Sequence, residues 1–139
     1  DGMKMSKSYQ NTLALRETPE NISQKVRKMP TDPARVRRTD PGDPAKCPVW
    51  QLHEVYSDTS TKQWVQEGCK SAGIGCIQCK EPIIQAVTDE LAPMRERAAM
   101  YTENPALVRK IISEGCERAR AMANDTMKDV RKHMGLDYS

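Results

Sequence analysis

There is no phenylalanine in this chain, and aromatic residues together make up only 4% of its 139 residues. Apolar residues of all kinds reach 37%, below the usual share of a globular domain. A large self-sufficient core is therefore not expected. Long apolar runs are missing too. No stretch approaches the roughly 18–20 residues that cross a bilayer as a helix, so no membrane partner is expected. The first residues lack the apolar segment of a secretory signal, which predicts a cytoplasmic protein. In that setting the five cysteines read as reduced thiols or metal ligands rather than as disulfides. Only two histidines are present. No Ser/His/Asp set and no carboxylate pair can be composed, so hydrolytic chemistry has no support. The chain does not begin with Met, which suggests a piece of a longer protein.

What is present is charge. Asp, Glu, Lys and Arg make up 29% of the chain, for a net charge of +3, and the mean hydropathy is −0.74. The total says little, but the distribution says more. Lys25, Arg27, Lys28, Arg35, Arg37 and Arg38 fall within fourteen residues that hold one acid, Asp32. Such a stretch suits a phosphate backbone; on charge alone, a solvated basic face is the plainer reading.

Residues 1–10 have loop composition. In NTLALRE, Leu13 and Leu15 alternate with other residues and predict a short strand. In TPENISQKVRKM, Thr18 is a good N-cap and Pro19 suits the first helical position. Ile22, Val26 and Met29 keep helical spacing up to the break at Pro30. Residues 30–46 hold four prolines and run longer than most connections within a domain, which favours a functional loop or a domain junction. CPVWQLHEVYS predicts a short helix with Val49, Leu52 and Val55 on one face. DTSTKQWVQEGCKSAG predicts another, opened by Asp58 or Ser60 and closed at Gly73. Trp50 and Trp64 fall at helical spacing and read as core rather than as base-stacking platforms. From Pro82 onward Ile83, Ile84, Val87, Leu91 and Met94 keep a helical period, with Pro93 expected to kink or split the helix. Asn104-Pro105 opens a last helix that runs to Met134-Gly135. Its stripe comprises Leu107, Ile111, Ile112, Cys116, Ala119, Ala123, Val130 and Met134, and Cys116 on it reads as core. The sum is a mostly α chain with one short strand.

Four cysteines form the pattern C-x21-C-x6-C-x2-C: Cys47, Cys69, Cys76 and Cys79. Two residues between the last pair let both sulfurs reach one centre from a single turn. Four thiolates can bind zinc or a cubane iron–sulfur cluster, and spacing alone favours zinc. Lys46, Lys70 and Lys80 each adjoin one of these cysteines and are expected to favour the thiolate form. His53 reads as a partly exposed helical residue more readily than as a partner of the cysteines, and His133 as a residue that complements a helix dipole.

The segment Lys4-Met5-Ser6-Lys7-Ser8 matches the KMSKS signature of class I aminoacyl-tRNA synthetases letter for letter. Its context, DGMKMSKSYQN, resembles the tryptophanyl and tyrosyl branch, in which an Asn follows the signature as Asn11 does here. A second block, TDPARVRRTDPGDPAKCPVWQLHEVYS, resembles a longer bacterial form of the tryptophanyl-tRNA synthetases, and the cysteine pattern resembles that form's motif with a first gap one residue shorter. The resemblance covers essentially the whole chain. It implies a [4Fe-4S] cluster on Cys47, Cys69, Cys76 and Cys79, with zinc as the alternative. It implies the tail of a Rossmann-type catalytic domain over residues 1–28, carrying the KMSKS loop, and a helical anticodon-binding domain over residues 29–139. The HIGH signature and a Gly-rich phosphate turn are not in this sequence, so the resemblance is to the C-terminal portion, with the catalytic half missing.

The activity implied is tryptophan–tRNA ligation: ATP-dependent activation of tryptophan, with Mg, and transfer to tRNA(Trp) by an enzyme that is usually a homodimer. Negative charge grows on the departing pyrophosphate. A cation that reaches it only in the transition state raises kcat. Lys4 and Lys7 are the catalytic candidates, and Met5, Ser6 and Ser8 join them at the ATP. Arg35, Arg37, Arg38, Lys46, Lys70 and Lys80 are the candidate tRNA contacts. Two other readings are a stand-alone metal-bound RNA-binding module without catalysis and a zinc-stapled protein-interaction domain.

Overall fold

The computed structural model describes residues 3–136. Among the described residues five α-helices follow one another: α1 (Pro19–Lys28), α2 (Pro48–Tyr56), α3 (Thr59–Lys70), α4 (Cys76–Thr102) and α5 (Pro105–His133), with a 3-10 turn at Pro44–Lys46. Two compact units divide the chain, residues 1–96 and 97–139. No described helix is long and apolar enough to cross a membrane.

Helix starts follow the local chemistry. The Thr18, Asp58 and Asn104 side chains accept the backbone N–H of Asn21, Thr61 and Leu107, satisfying donors that a first turn leaves without partners. Proline occupies the first position of α1, α2 and α5. α5 stops as expected, with Gly135 left-handed at φ 68°.

The strand and the start of α4 depart from expectation, and of the kink or split expected at Pro93 the split does not occur. No strand occurs among the described residues. The segment expected to be one turns back on itself, Glu17 N–H donating to the Ala14 carbonyl at 2.9 Å, and an isolated extended segment without a partner ladder has nothing to stabilise it. α4 begins at Cys76, not Pro82, because Gln78 Oε1 accepts the Gly75 N–H at 2.9 Å, the reciprocal half of a capping box. Nor does Pro93 split α4. Lys80, Ile83, Val87 and Leu91 form one buried stripe that passes Pro82, and Met94, just beyond Pro93, packs against the same core. Packing on that stripe offsets the backbone bond lost at each proline, a loss of about 3 kcal/mol in an unsupported helix.

The core of the first unit is small: Ile22 and Val26 from α1, Val49 from α2, and Ile83, Val87 and Leu91 from α4. Cys47, Cys79, Leu13 and Leu52 pack around it. Val55 is 74% exposed, so the inner face of α2 is Val49, Leu52 and His53 instead. Trp64 is exposed and Trp50 half-buried, against their assignment to the core; Trp50 Nε1 donates to Glu54 at 3.1 Å. In the second unit no residue of α5 is buried. Cys116, expected in the core, is exposed there.

Replacing Ile83, which is fully buried, by Ala is expected to destabilise the first unit by about 2–5 kcal/mol. Denaturant unfolding followed by far-ultraviolet circular dichroism measures it; an unchanged midpoint would contradict the packing of α1, α2 and α4 around this side chain.

Candidate functional site

The lysine loop is built by short polar contacts. Ser6 N–H donates to Asn11 Oδ1 at 2.8 Å. Tyr9 and Gln10 N–H donate to the carbonyls of Ser6 and Lys7 at 3.2 and 3.1 Å, and the Ser6 and Ser8 hydroxyls lie 2.6 Å apart. Gln10 takes a left-handed φ of 53°. Behind the loop, Lys25 Nζ donates to the Thr12 carbonyl at 2.8 Å and pairs with Glu17. That cation is the first cause of the lowered Glu17 pKa. Lys4 and Lys7 are exposed, and neither forms an ion pair among the described residues. Asn11 is thus the brace of the loop.

The second candidate centre is the cysteine set. Cys47 precedes α2, Cys69 closes α3, and Cys76 and Cys79 open α4. All four line one cavity of 20 Å³, together with Thr31, Asp32, Arg35 and Val49. None is in a disulfide. Gly42 makes the convergence possible. Its N–H donates to the Cys69 carbonyl at 2.9 Å, and a Cβ at this position would stand 2.7 Å from Cys69 Sγ. No non-bonded carbon and sulfur approach so closely, so only glycine fits here without displacing the sulfur.

The loop 30–46 is fixed from inside. Asp32, 5% exposed, accepts the N–H of Ala34 at 3.0 Å and of Asp43 at 2.8 Å. These backbone donors hold its carboxyl below the usual range. Arg35 is also buried, with its Nη2 donating to the carbonyls of Arg38 and Ile74 at 3.0 and 2.6 Å. Its Nη1 lies 3.9 Å from Cys69 Sγ, and its Nε has no partner. Lys80, 2% exposed, donates to the Arg27 and Met29 carbonyls at 2.8 and 2.6 Å, at the end of α1. Arg35 and Lys80, expected among the outward-facing tRNA contacts, are therefore turned inward, because each satisfies carbonyls that have no donor of their own element. Arg37, Arg38, Lys46 and Lys70 are exposed. Arg35, Arg37, Arg38, Gly75, Cys76 and Gln78 share an open basin of 440 Å³ beside the cysteines. The Arg37 N–H donates to Asp40 Oδ2 at 2.6 Å, which together with the Arg35–Arg38 bond sets the turn bearing the two exposed guanidinium groups.

His53 differs most from expectation. It is fully buried, not partly exposed. Its Nδ1 lies 2.7 Å from Ser57 Oγ and its Nε2 lies 3.3 Å from Cys79 Sγ. Burial pushes its pKa below the ordinary histidine value, the contact with Cys79 opposing, so the neutral ring is favoured. The signal in the sequence was the spacing of His53 from Val49, one helical turn, which puts both on one face.

Lys80 favours the Cys79 thiolate as expected, but burial outweighs it. Burial, reinforced by the other three cysteines, pushes the Cys79 thiol up to about 12, with Lys80 opposing. Cys69 is also raised, by burial first, against Arg35. A metal group would have to displace these protons. The donor set, four sulfurs on one cavity with N–H groups facing two of them, fits a thiolate-held group. Among the described residues, however, no group of three or more His, Cys, Asp or Glu side chains is arranged to hold a metal ion.

Over residues 1–92 the chain matches the family of tRNA synthetases class I (W and Y), and it belongs to that family. It is 60% identical over its whole length to 35% of the tryptophan–tRNA ligase of Ralstonia nicotianae. To the tryptophan–tRNA ligase of Thermotoga maritima it is 43% identical, with 99% of this chain and 42% of that one covered. The crystal structure of tryptophanyl-tRNA synthetase from Campylobacter jejuni complexed with ADP and tryptophan superposes with a TM-score of 0.77 at 26% identity, over 98% of this chain and 42% of that one. The chain thus spans well under half the length of these relatives.

Replacing Gly42 by Ala is expected to push Cys69 Sγ out of the cavity and to speed alkylation of Cys69 by iodoacetamide, read by peptide mass spectrometry. The same change at Gly115, where a Cβ meets nothing within 4 Å, leaves the rate unaltered. Equal rates in both variants would show that the Gly42 approach does not hold the sulfur.

Proposed function

We propose that the chain is part of a bacterial tryptophan–tRNA ligase, supplying the KMSKS loop and the anticodon-binding domain of an enzyme that activates tryptophan with ATP and Mg and transfers it to tRNA(Trp). The observation that carries this reading is the Lys4–Ser8 loop: both signature lysines exposed and, among the described residues, without ion pairs, on a turn braced by Asn11, in a chain whose relatives are tryptophan–tRNA ligases. Residues 1–28 are the tail of the catalytic domain and residues 29–139 the helical domain. The rest of the catalytic half, with the HIGH signature, lies elsewhere in the full-length protein, which works as a cytoplasmic homodimer.

In adenylate formation the tryptophan carboxylate attacks the α-phosphate of ATP and pyrophosphate leaves. Lys7 meets the charge that grows on the leaving group, and Lys4 holds the triphosphate beside it. Met5 shapes the loop against the nucleotide, while the Ser6 and Ser8 hydroxyls, now bonded to each other, turn to phosphate oxygens. The unpaired state of the two cations fits this role, because an ammonium group engaged elsewhere would have to break that contact before reaching the phosphate.

Arg37 and Arg38, with Lys46 and Lys70, contact the tRNA, whose unstacked anticodon bases lie readily on guanidinium planes. Arg35 and Lys80 serve the same contact indirectly, Arg35 by holding the turn that carries its neighbours. Cys47, Cys69, Cys76 and Cys79 hold a [4Fe-4S] cluster, whose contribution is to cross-link a loop-rich region with a thin core. That the four cysteines line one cavity supports a group held by all of them.

In the full-length enzyme, Lys7→Ala is expected to slow tryptophan-dependent pyrophosphate exchange by about 10²-fold or more, with the KM for tRNA nearly unchanged; exchange at the normal rate would remove Lys7 from the mechanism. Arg37→Ala shows the opposite split, a raised KM for tRNA with normal exchange, and an unmoved KM would exclude Arg37 from the anticodon. Protein purified without oxygen is expected to be brown, with about four iron and about four sulfide per chain. A colourless protein holding one zinc would replace the cluster by the alternative.

A further inference from the structure

His53 has more contacts than a core histidine requires. The ring is fully buried, yet both nitrogens have partners: Ser57 Oγ at 2.7 Å from Nδ1 and Cys79 Sγ at 3.3 Å from Nε2. Ser57 is the residue that closes α2, its N–H donating to the His53 carbonyl at 3.0 Å. The ring plane is further set by Trp50, whose centroid lies 6.1 Å away at an interplanar angle of 35°. The imidazole is therefore held at both nitrogens and at one side.

A ligating thiolate carries no proton and can only accept. A neutral imidazole has one donor nitrogen and one acceptor nitrogen. With Cys79 as a ligand, Nε2 must carry the hydrogen, Nδ1 must accept, and the Ser57 hydroxyl must donate to it. The whole relay is then fixed: Ser57 Oγ–H to Nδ1, Nε2–H to Cys79 Sγ. Among the four cysteines, Cys79 alone has a neutral side-chain donor; Cys69 has the Arg35 guanidinium at 3.9 Å, and no side-chain donor to Cys47 or Cys76 is found among the described residues. The two donors face different sulfurs, so the centre is electrically unsymmetrical.

We propose that His53 is a positioning residue of the cysteine centre, donating its Nε2–H to the Cys79 sulfur and raising the reduction potential of the iron–sulfur group held there, with Ser57 fixing the tautomer. This rests on the reading of the four cysteines as cluster ligands. An N–H directed at a ligating sulfur stabilises the more negative, reduced state over the oxidised one. Removing it shifts the potential to more negative values without removing a ligand. A purely structural histidine would leave the potential where it was, provided the cluster is retained.

The experiment uses the full-length enzyme, purified anaerobically, with iron and sulfide content measured separately from the potential. His53→Leu is expected to keep the iron and sulfide of the parent protein but to shift the potential, followed by anaerobic titration and electron paramagnetic resonance, to more negative values. His53→Gln, which restores an N–H of similar reach, recovers part of the shift. Ser57→Ala, which leaves the ring in place, gives a smaller shift in the same direction and keeps the test decisive if His53→Leu fails to fold. Potentials equal to that of the parent in every variant that retains the cluster overturn the proposal. Long-range ¹⁵N spectra of His53 give a second readout that does not depend on iron. The Nε2–H tautomer is expected with iron or with zinc in the site, and the Nδ1–H tautomer overturns the proposal with either. A protein that holds zinc with the Nε2–H tautomer would sink the cluster reading and leave the His53–Cys79 bond standing.

Discussion

The Gly42 N–H to Cys69 carbonyl bond, 2.9 Å long, joins two segments that nothing else in the sequence obliges to meet. One is the long proline-rich loop and the other is the end of α3. Because no side chain intervenes at Gly42, the loop backbone lies against the Cys69 sulfur. Once that crossing is made, Cys47 at the loop's end and Cys76 and Cys79 at the start of α4 reach the same cavity. Asp32 and Arg35 then have carbonyls and N–H groups within reach to satisfy. The crossing is the constraint on which the cysteine centre depends.

The interior of this unit shows what a chain poor in large apolar side chains does instead. Six buried aliphatic residues form the core cluster, and four polar or charged ones, Asp32, Arg35, His53 and Lys80, are buried as well. A charge is withdrawn from water at a cost unless it is hydrogen-bonded. Here the hydrogen bonds go largely to backbone groups: two N–H groups for Asp32, two carbonyls each for Arg35 and Lys80. Such contacts fix the path of irregular backbone as helical hydrogen bonds fix a helix. Lys80 also joins the two candidate sites, since its ammonium closes the end of α1, whose Lys25 holds the stretch behind the signature loop.

The two sites make opposite use of cations. At the loop, Lys4 and Lys7 are exposed and form no ion pair among the described residues, which suits groups that must move to a charge when it develops. At the cysteine centre Arg35 and Lys80 are buried and already bonded, which suits a fixed scaffold. Adjacency in sequence did not separate these cases: Lys46, Lys70 and Lys80 each adjoin a cysteine, and only Lys80 is inside.

The sequence by itself determined the helices that have local start and stop signals. Thr18-Pro19, Asp58 and Asn104-Pro105 set their own first turns because capping is a contact over three residues. It determined the four cysteines as a set and the signature loop as a motif, since both are patterns of residue type. It did not determine the start of α4, which Gln78 sets by reaching back to Gly75, or its continuity through Pro93, where Leu91 and Met94 pack on the core on either side. The strand read at Leu13 and Leu15 failed because a strand needs a partner ladder, and alternation cannot show whether one exists. The spacing of His53 from Val49 put it on the inner face of α2, but tertiary structure alone decided that Arg35 and Lys80 point inward and that Trp64 and Cys116 do not. The reason is the same in each case: a side chain's burial depends on which distant backbone crosses it, and here those crossings are made by loops, whose path no periodicity encodes.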